Sequence, residues 1–462
     1  MSKMLFENLL IEKDGLIKGP FGGDIKKSLF VPKSKNTYKV YEQGVVLKND
    51  LNLGNYYISK EYFEMKLKRF EIKENDILMT GAGTLGKIFV VPKIHPKGLI
   101  NQALLRIRLN YEVVNTVFFT YYFKYYIKAI ISRLNSDSVI PNLPPLPIIK
   151  KTEIDIPGLP YQKKIASVLS TLDAKIELNN KINIELKSMA KTLYNYWFVQ
   201  FDFPDEQGKP YKSSGGKMVY NKELKREVPE GWEMKTISEW INNDKSGDWG
   251  KETEQGNYTQ KVSCVRGADL NGLNGKGEIK SPTRFILEKN AHKILENNDL
   301  IVEISGGSPT QSTGRLAFIT KETSDRFDNP LICSNFCKAV TLKEEKYLYN
   351  FVYQWNRLYD NGVLFGWEGK TSGIKNLLFE SFVTNYKVVY PRLQVVEKFH
   401  ELIKPIHAKK QKNLLENQQL TKLRDWLLPM LMNGQVTVNE AIEYSKDYDL
   451  KIAAEGELKY GE

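Results

Sequence analysis

Tyr161 to Phe198 constrains the fold more than any other stretch of the chain. It contains neither Gly nor Pro, and its apolar residues recur at heptad spacing. With Ile165 at position a, the a series is Ile165, Leu172, Asn179, Leu186 and Leu193. The d series is Val168, Lys175, Ile182, Met189 and Tyr196. That alternation predicts a coiled-coil helix, roughly 55–60 Å long at 1.5 Å per residue. A narrow apolar seam of that length cannot be buried by the helix itself and requires a partner.

The partner is a second copy, Leu393 to Gly434. A constant offset of 234 carries Ile165 to Phe399, Leu172 to Ile406, Leu186 to Leu420 and Leu193 to Leu427. Identities at the same offset include Pro157/Pro391, Leu159/Leu393, Lys175/Lys409, Asn179/Asn413 and Asn183/Asn417. Upstream, Ser138/Ser372 and Asn142-Leu143/Asn376-Leu377 also match. Because polar positions match as well as apolar ones, this is an internal duplication. Pro405 has no counterpart and predicts a kink or break. The short route between the copies predicts an antiparallel pair. In such a pair Asn179 and Asn413, mid-helix a positions, should meet and fix the register. Lys175 and Lys409 should flank them and snorkel outward.

The repeat extends to the flanking segments. Residues 1–157 read as a globular α/β unit, with β-prone runs at 38–41, 76–80, 87–91 and 103–109 and a helical run at 114–134. Residues 158–200 are the first long helix, and 201–230 form a polar connector rich in turn residues. Residues 231–391 repeat the first unit less faithfully, 392–434 are the second helix, and 435–462 are a charged tail with a short helix near 438–444. The segment at 75–91 parallels that at 298–320: Asn-Asp, a β run, a glycine loop and a second β run. The fold class is α+β, with two similar α/β domains separated by antiparallel coiled-coil helices in pseudo-twofold relation.

A length of 462 residues with 41% apolar composition sustains several packed cores. The net charge of +12 suits a polyanionic partner. No apolar run approaches twenty residues, the N-terminus does not read as a signal peptide, and three cysteines do not make a disulfide framework. A reducing, cytoplasmic setting is expected, with no membrane partner.

Several motifs do not survive inspection. Gly81-Ala-Gly83-Thr-Leu-Gly86 matches the dinucleotide fingerprint, but the β-like Lys87–Val91 follows where a helix is required, so a hairpin loop is predicted. Gly369-Lys370-Thr371 lacks the earlier glycine of a phosphate loop. Cys333 and Cys337 have no zinc-ligand partners at suitable spacing. Asp205 and Glu223 fit a loose metal-nuclease pattern but lie in a turn-rich connector. No catalytic constellation and no cofactor or metal site is expected.

What remains are glycine-punctuated polar loops in both globular units. The first unit offers Lys18, Phe21, Gly22, Lys26 and Lys27, with Gly81, Thr84 and Lys87, and Asn101 and Gln102. The second offers Ser305, Gly306, Gly307, Ser308, Gln311, Ser312, Thr313 and Arg315, with Ser334, Asn335, Trp367 and Lys370. Asn, Gln, Arg and Ser are side chains that read base edges, and Lys and Arg hold phosphates.

The repeated helices, the run Leu193–Pro204, the segment Gly208–Met218 leading to Pro229-Glu-Gly-Trp232, and the loops at 75–86 and 304–315 together resemble the specificity subunit of type I restriction–modification systems. The resemblance implies two DNA target-recognition domains, each reading half of a split site, on helices that set the spacing and dock two methyltransferase subunits. Methylation, and cleavage by restriction subunits, would then belong to partners. The alternatives are a stand-alone nuclease acting through Asp205 and Glu223, and a coiled-coil scaffold for proteins.

Overall fold

The computed structural model describes residues 2–81, 84–134, 145–306, 308, 310–371 and 374–446. The chain divides into two compact units, Met1–Lys175 with Leu420–Glu462, and Ile176–Gln419.

In the first unit, seven strands build two small sheets: β1 (Leu16–Lys18), β2 (Thr37–Tyr41), β3 (Tyr57–Ser59), β4 (Ile77–Thr80), β5 (Ile88–Val90), β6 (Gly98–Ile100) and β7 (Leu104–Ile107). Their order is β1-β7-β4-β5 in one sheet and β3-β2-β6 in the other. Among the described residues of this unit only β2 and β6 pair in parallel. The second unit has β8 (Ile241–Ser246), β9 (Tyr258–Val265), β10 (Thr283–Leu287), β11 (Leu300–Glu303), β12 (Leu316–Phe318), β13 (Leu331–Cys333) and β14 (Cys337–Leu342). Their order is β8-β14-β11-β12 and β10-β9-β13, again with one parallel pair, β9 and β13. An antiparallel ribbon closes each unit, Ser2–Leu5 on Glu153–Ile156 and Glu233–Thr236 on Lys387–Tyr390. The duplication seen in the helices therefore includes the whole topology of both sheets.

The Asn-Asp pair ahead of β4 and β11 shows why the repeated sequence folds the same way twice. Asn75 and Asn298 adopt left-handed backbone, φ 64° and 72°, which Asn tolerates better than most residues. The following aspartates, Asp76 and Asp299, are buried and accept from the backbone N–H three residues back, Lys73 at 2.6 Å and Glu296 at 2.9 Å. Each carboxylate also takes a cation: Asp76 that of Arg108 at 2.7 Å, Asp299 that of Lys245 at 3.4 Å.

Helix α1 (Thr116–Leu134) lies in the first unit. The long helices are α2 (Leu159–Tyr194) and α4 (Leu393–Met432); α3 (Leu348–Asp360) lies between them in sequence and the short α5 (Val438–Ser445) follows. Pro160 sits in the first turn of α2, where its missing N–H is not needed. The buried Gln162 side chain ties that turn to Val113 O, Asn115 N and Pro157 O at 2.8–3.1 Å. α4 passes through Pro405 without interruption, so the predicted break is absent. Loss of one intrahelical bond is outweighed by burial of Phe399, Ile403 and Leu420 on the same helix.

The helices run antiparallel. In the second unit Asn179 donates to Asn417 Oδ1 at 3.0 Å and Asn413 donates to Asn183 Oδ1 at 2.9 Å. In the first unit Arg424 pairs with Asp173 at 2.6 Å. Two expectations are corrected here. The bonds are crossed: Asn179 and Asn413 each bond to the residue one turn beyond the other, Asn417 and Asn183. An antiparallel repeat centres between two asparagines, not on one. Further, the second series of buried positions lies one residue past the expected d series. Leu169, Asn183, Ala190 and Trp197 are buried, whereas Met189 is 60% exposed and Tyr196 37%. In α4 the same shift buries Ile403 and Lys410 and exposes Leu402 and Lys409. Adjacent candidates at each heptad, such as Val168-Leu169, left the choice to packing.

The connector is less polar than its composition suggests. Phe201, Phe203, Val228 and Trp232 are buried with Tyr194, Trp197 and Phe198 against Phe399. Asp202 fixes the loop by accepting from Ser213 N and Oγ at 2.7 Å. Among the described residues no helix is long and apolar enough to cross a membrane.

Candidate nucleic-acid interface

In both units the same three loops converge, because a glycine lets two backbones touch. A Cβ on Gly19, just after β1, would lie 1.8 Å from the Asn101 carbonyl oxygen. A Cβ on Gly247, just after β8, would lie 2.0 Å from that of Ser334. These carbonyls belong to the turns joining β6 to β7 and β13 to β14. The turns are held from the other side by Asn101 N to Tyr41 O at 3.0 Å and Ser334 N to Val265 O at 2.8 Å. The third loop is the connection from β4 to β5 or β11 to β12. In the first unit it joins the cluster through Gly81 N to Ala103 O at 2.9 Å.

In the first unit the sequence candidates fall around this junction. Lys18 and Phe21 line a depression of about 420 Å³ together with Arg69, Lys150 and Lys151. Gly22, Lys27, Asn101 and Gln102 line a smaller one of about 150 Å³ with Glu42 and Tyr56. Phe21 is 81% exposed. Lys26, Thr84 and Lys87 are exposed nearby in the same loops. Among the described residues Lys18, Lys26, Lys27 and Lys87 have no carboxylate partner. Gly81 has a structural task, since a Cβ there would lie 2.5 Å from Leu105 Cδ1. The segment closes as the predicted hairpin, with Thr80 Oγ1 donating to Thr84 O and accepting from Lys87 N at 3.1 Å.

In the second unit the loops enclose a larger cleft, about 1240 Å³. Of the sequence candidates, Ser305, Gly306, Ser308, Arg315, Ser334 and Asn335 line it. Other predicted residues do not. Ser312 and Thr313 are buried and hold the Glu368 carboxylate, with bonds of 2.8–3.2 Å. Trp367 packs on Phe382 and Tyr386. Gln311 turns to the Tyr359 hydroxyl at 3.4 Å. Gly307 and the Lys370 side chain lie outside the described residues. Ser, Thr and Trp in a polar loop gave no signal of an acid, Glu368, waiting to be satisfied 55 residues on.

The cleft's cations are prearranged. Arg315 spends two of its five donors on Glu303, at 2.5 and 2.9 Å, which keeps the guanidinium firmly charged. Arg266 is held likewise by Asp269 at 2.9 and 3.1 Å. Lys375 pairs with Glu368 at 3.1 Å. Burial works against the Glu368 charge, but the Thr313 N–H, Lys375 and the two hydroxyls outweigh it and hold the carboxyl below its ordinary range. Exposed aromatic faces complete the rim: Trp249, with Arg284 4.2 Å above its ring, Phe336, and Phe365, with Lys375 5.0 Å above it. Arg266, Lys375 and these three aromatics were missed by the sequence reading. Phe336 directly follows the predicted Asn335 and was the one with a visible signal. Such an arrangement offers fixed donors and flat apolar surfaces, suited to recognition by geometry.

Asp205 and Glu223 are engaged separately. Asp205 Oδ1 accepts from Gln207 N and Lys209 N at 2.8 Å, and Glu223 pairs with Lys387 at 2.9 Å. Among the described residues no group of three His, Cys, Asp or Glu could hold a metal ion.

Residues 22–188 match the family model of the type I restriction modification DNA specificity domain. The chain is 28% identical to the type I restriction enzyme MjaIX specificity subunit of Methanocaldococcus jannaschii over 296 residues, 63% of this chain and 62% of the relative. It is 23% identical to the MjaVIII specificity subunit of the same organism, over 82% of this chain and 84% of that one. Thus it spans less than two thirds of the first relative but most of the second. Its fold is similar to the crystal structure of the type I restriction–modification S subunit from M. genitalium, with TM-score 0.55, 17% identity, and coverage of 93% and 96% of the two chains. The matched domain covers most of the first unit and the start of α2, the sheet topology recurs in the second unit, and over both the chain is similar to type I restriction–modification specificity subunits.

Proposed function

We propose that this chain is the sequence-reading component of a DNA modification complex, and that each globular unit contacts one half of a two-part duplex site. The observation that carries this reading is the repeated loop junction: one backbone scaffold presenting two different sets of side chains. In the first unit the set is lysine-rich and exposed; in the second it is a cleft of paired arginines and aromatics. Different half-sites on a common frame need that combination. The paired helices then fix the interval between half-sites, as dimer geometry does for other split sites, and present the surface for methyltransferase subunits. Adenine methylation and cleavage are assigned to those partners.

The test is to co-express the chain with a candidate methyltransferase subunit and map methylated adenines genome-wide. A two-part motif with a constant gap is the expected outcome. Methylation without a split motif would overturn the reading. So would DNA binding by the purified chain that ignores salt between 50 and 200 mM, because phosphate contacts make affinity fall steeply over that range.

A further inference from the structure

A second cavity in the Ile176–Gln419 unit has no part in the proposed reading. It measures about 180 Å³ and lies where the connector's antiparallel hairpin, Met218–Asn221 on Arg226–Pro229, meets α3 and the strand Lys387–Tyr390. Arg226 of the hairpin, Arg357 of α3 and Lys387 line it, and among the described residues no Asp or Glu does. Of the acids near them in sequence, Glu227 is exposed, Glu223 pairs with Lys387 of the lining at 2.9 Å, and Asp360 pairs with Lys191 at 3.2 Å. Among the described residues neither arginine has a carboxylate partner. Arg226 rests 5.0 Å above the Phe201 ring, which orients it without neutralising it.

The rest of the lining is polar and held. The buried Tyr194 hydroxyl donates to Gln354 Oε1 at 2.6 Å, which leaves the Gln354 amide nitrogen as a donor. The Asn350 amide lines the same space and is 3% exposed. Burial and the neighbouring Arg357 charge both disfavour the charged form of Arg226, as expected of two like charges confined together. Two guanidinium forks and two amides in a small, acid-free cavity are short of an anion. Two positive charges call for a dianion, and each fork matches a pair of its oxygens.

We propose that this pocket binds a phosphate group, gripped by Arg226 and Arg357, and so fastens the connector hairpin to α3. The site is too small to enclose a nucleoside as well, since pockets for drug-sized ligands run from about 300 Å³ upward. The group is therefore orthophosphate or the projecting terminal phosphate of a nucleotide.

The experiment uses the purified full-length chain. Thermal unfolding is followed in orthophosphate, in acetate and in chloride, at matched ionic strength, and orthophosphate and AMP are titrated calorimetrically. Orthophosphate should raise the unfolding temperature saturably, and acetate and chloride should not. Arg226→Gln and Arg357→Gln should each weaken phosphate binding about tenfold or more. Neither should lower the phosphate-free unfolding temperature, because each relieves the repulsion between the pair. AMP binding as tightly as orthophosphate would assign the site to a nucleotide's phosphate; orthophosphate alone would assign it to the free ion. The proposal fails if orthophosphate gives no more than chloride, if acetate matches it, or if both Gln variants retain wild-type affinity. The wild-type titration decides the matter even if a variant does not fold.

Discussion

Lys410 occupies in α4 the position that Ile176 occupies in α2, and it is 7% exposed. Burial and the charges of Lys187, Arg326 and Lys276 push its pKa down to about 8, from an ordinary 10.5. Below about pH 8 the ammonium is protonated in both states, and the folded state bears the cost of burying it. Between about 8 and 10.5 the folded state has released the proton while the unfolded state retains it, so stability should rise with pH across that window. Lys187, also pushed down to about 8, acts in the same direction. Lys410→Ile, the repeat's own alternative, should stabilise the chain at pH 7 by about 1–3 kcal/mol and reduce the rise above pH 8. Denaturant midpoints from pH 7 to 10 check both. At the interface, Asn335→Ala should cost about 1–3 kcal/mol of discrimination at one position of one half-site. Lys27→Ala should weaken binding to all sequences alike and shrink the salt slope by about one. Competition binding over a salt series separates the two.

Among the elements, the helix pair was the most legible and its seam the least. Heptad spacing and the offset of 234 revealed two helices, since periodicity and duplication survive in any register, and the short route between them gave their direction. They did not reveal which of two adjacent residues faces the partner; small Ala190 and bulky Trp197 settled that by packing. Asparagine spacing likewise announced a polar centre but not its crossed bonding. Asn413→Ala would remove the bond to Asn183, whose own amide nitrogen already lacks a partner among the described residues. A loss of about 1–3 kcal/mol is expected in chemical denaturation. At the interface, exposed lysines and glycine loops were readable from composition. The Glu368 network and the aromatic rim were not, because both depend on side chains from separate hairpins meeting in space.

For the molecule as a whole, the repeated order of seven strands means that the loops proposed to read DNA are carried on matching frames. Transplanting residues 305–315 from a relative with a different target should therefore change one half of the methylated motif and leave the other half and the gap intact. Methylation mapping of the chimera reads this directly; a changed gap would contradict it. The contact made by Gly19 and Gly247 has a consequence for how such proteins diversify. Each neighbouring turn is pinned through its main chain, at Asn101 and Ser334. On the proposed reading, whatever side chains stand there can be exchanged like type in a printer's frame, altering the word while the press stays as it was.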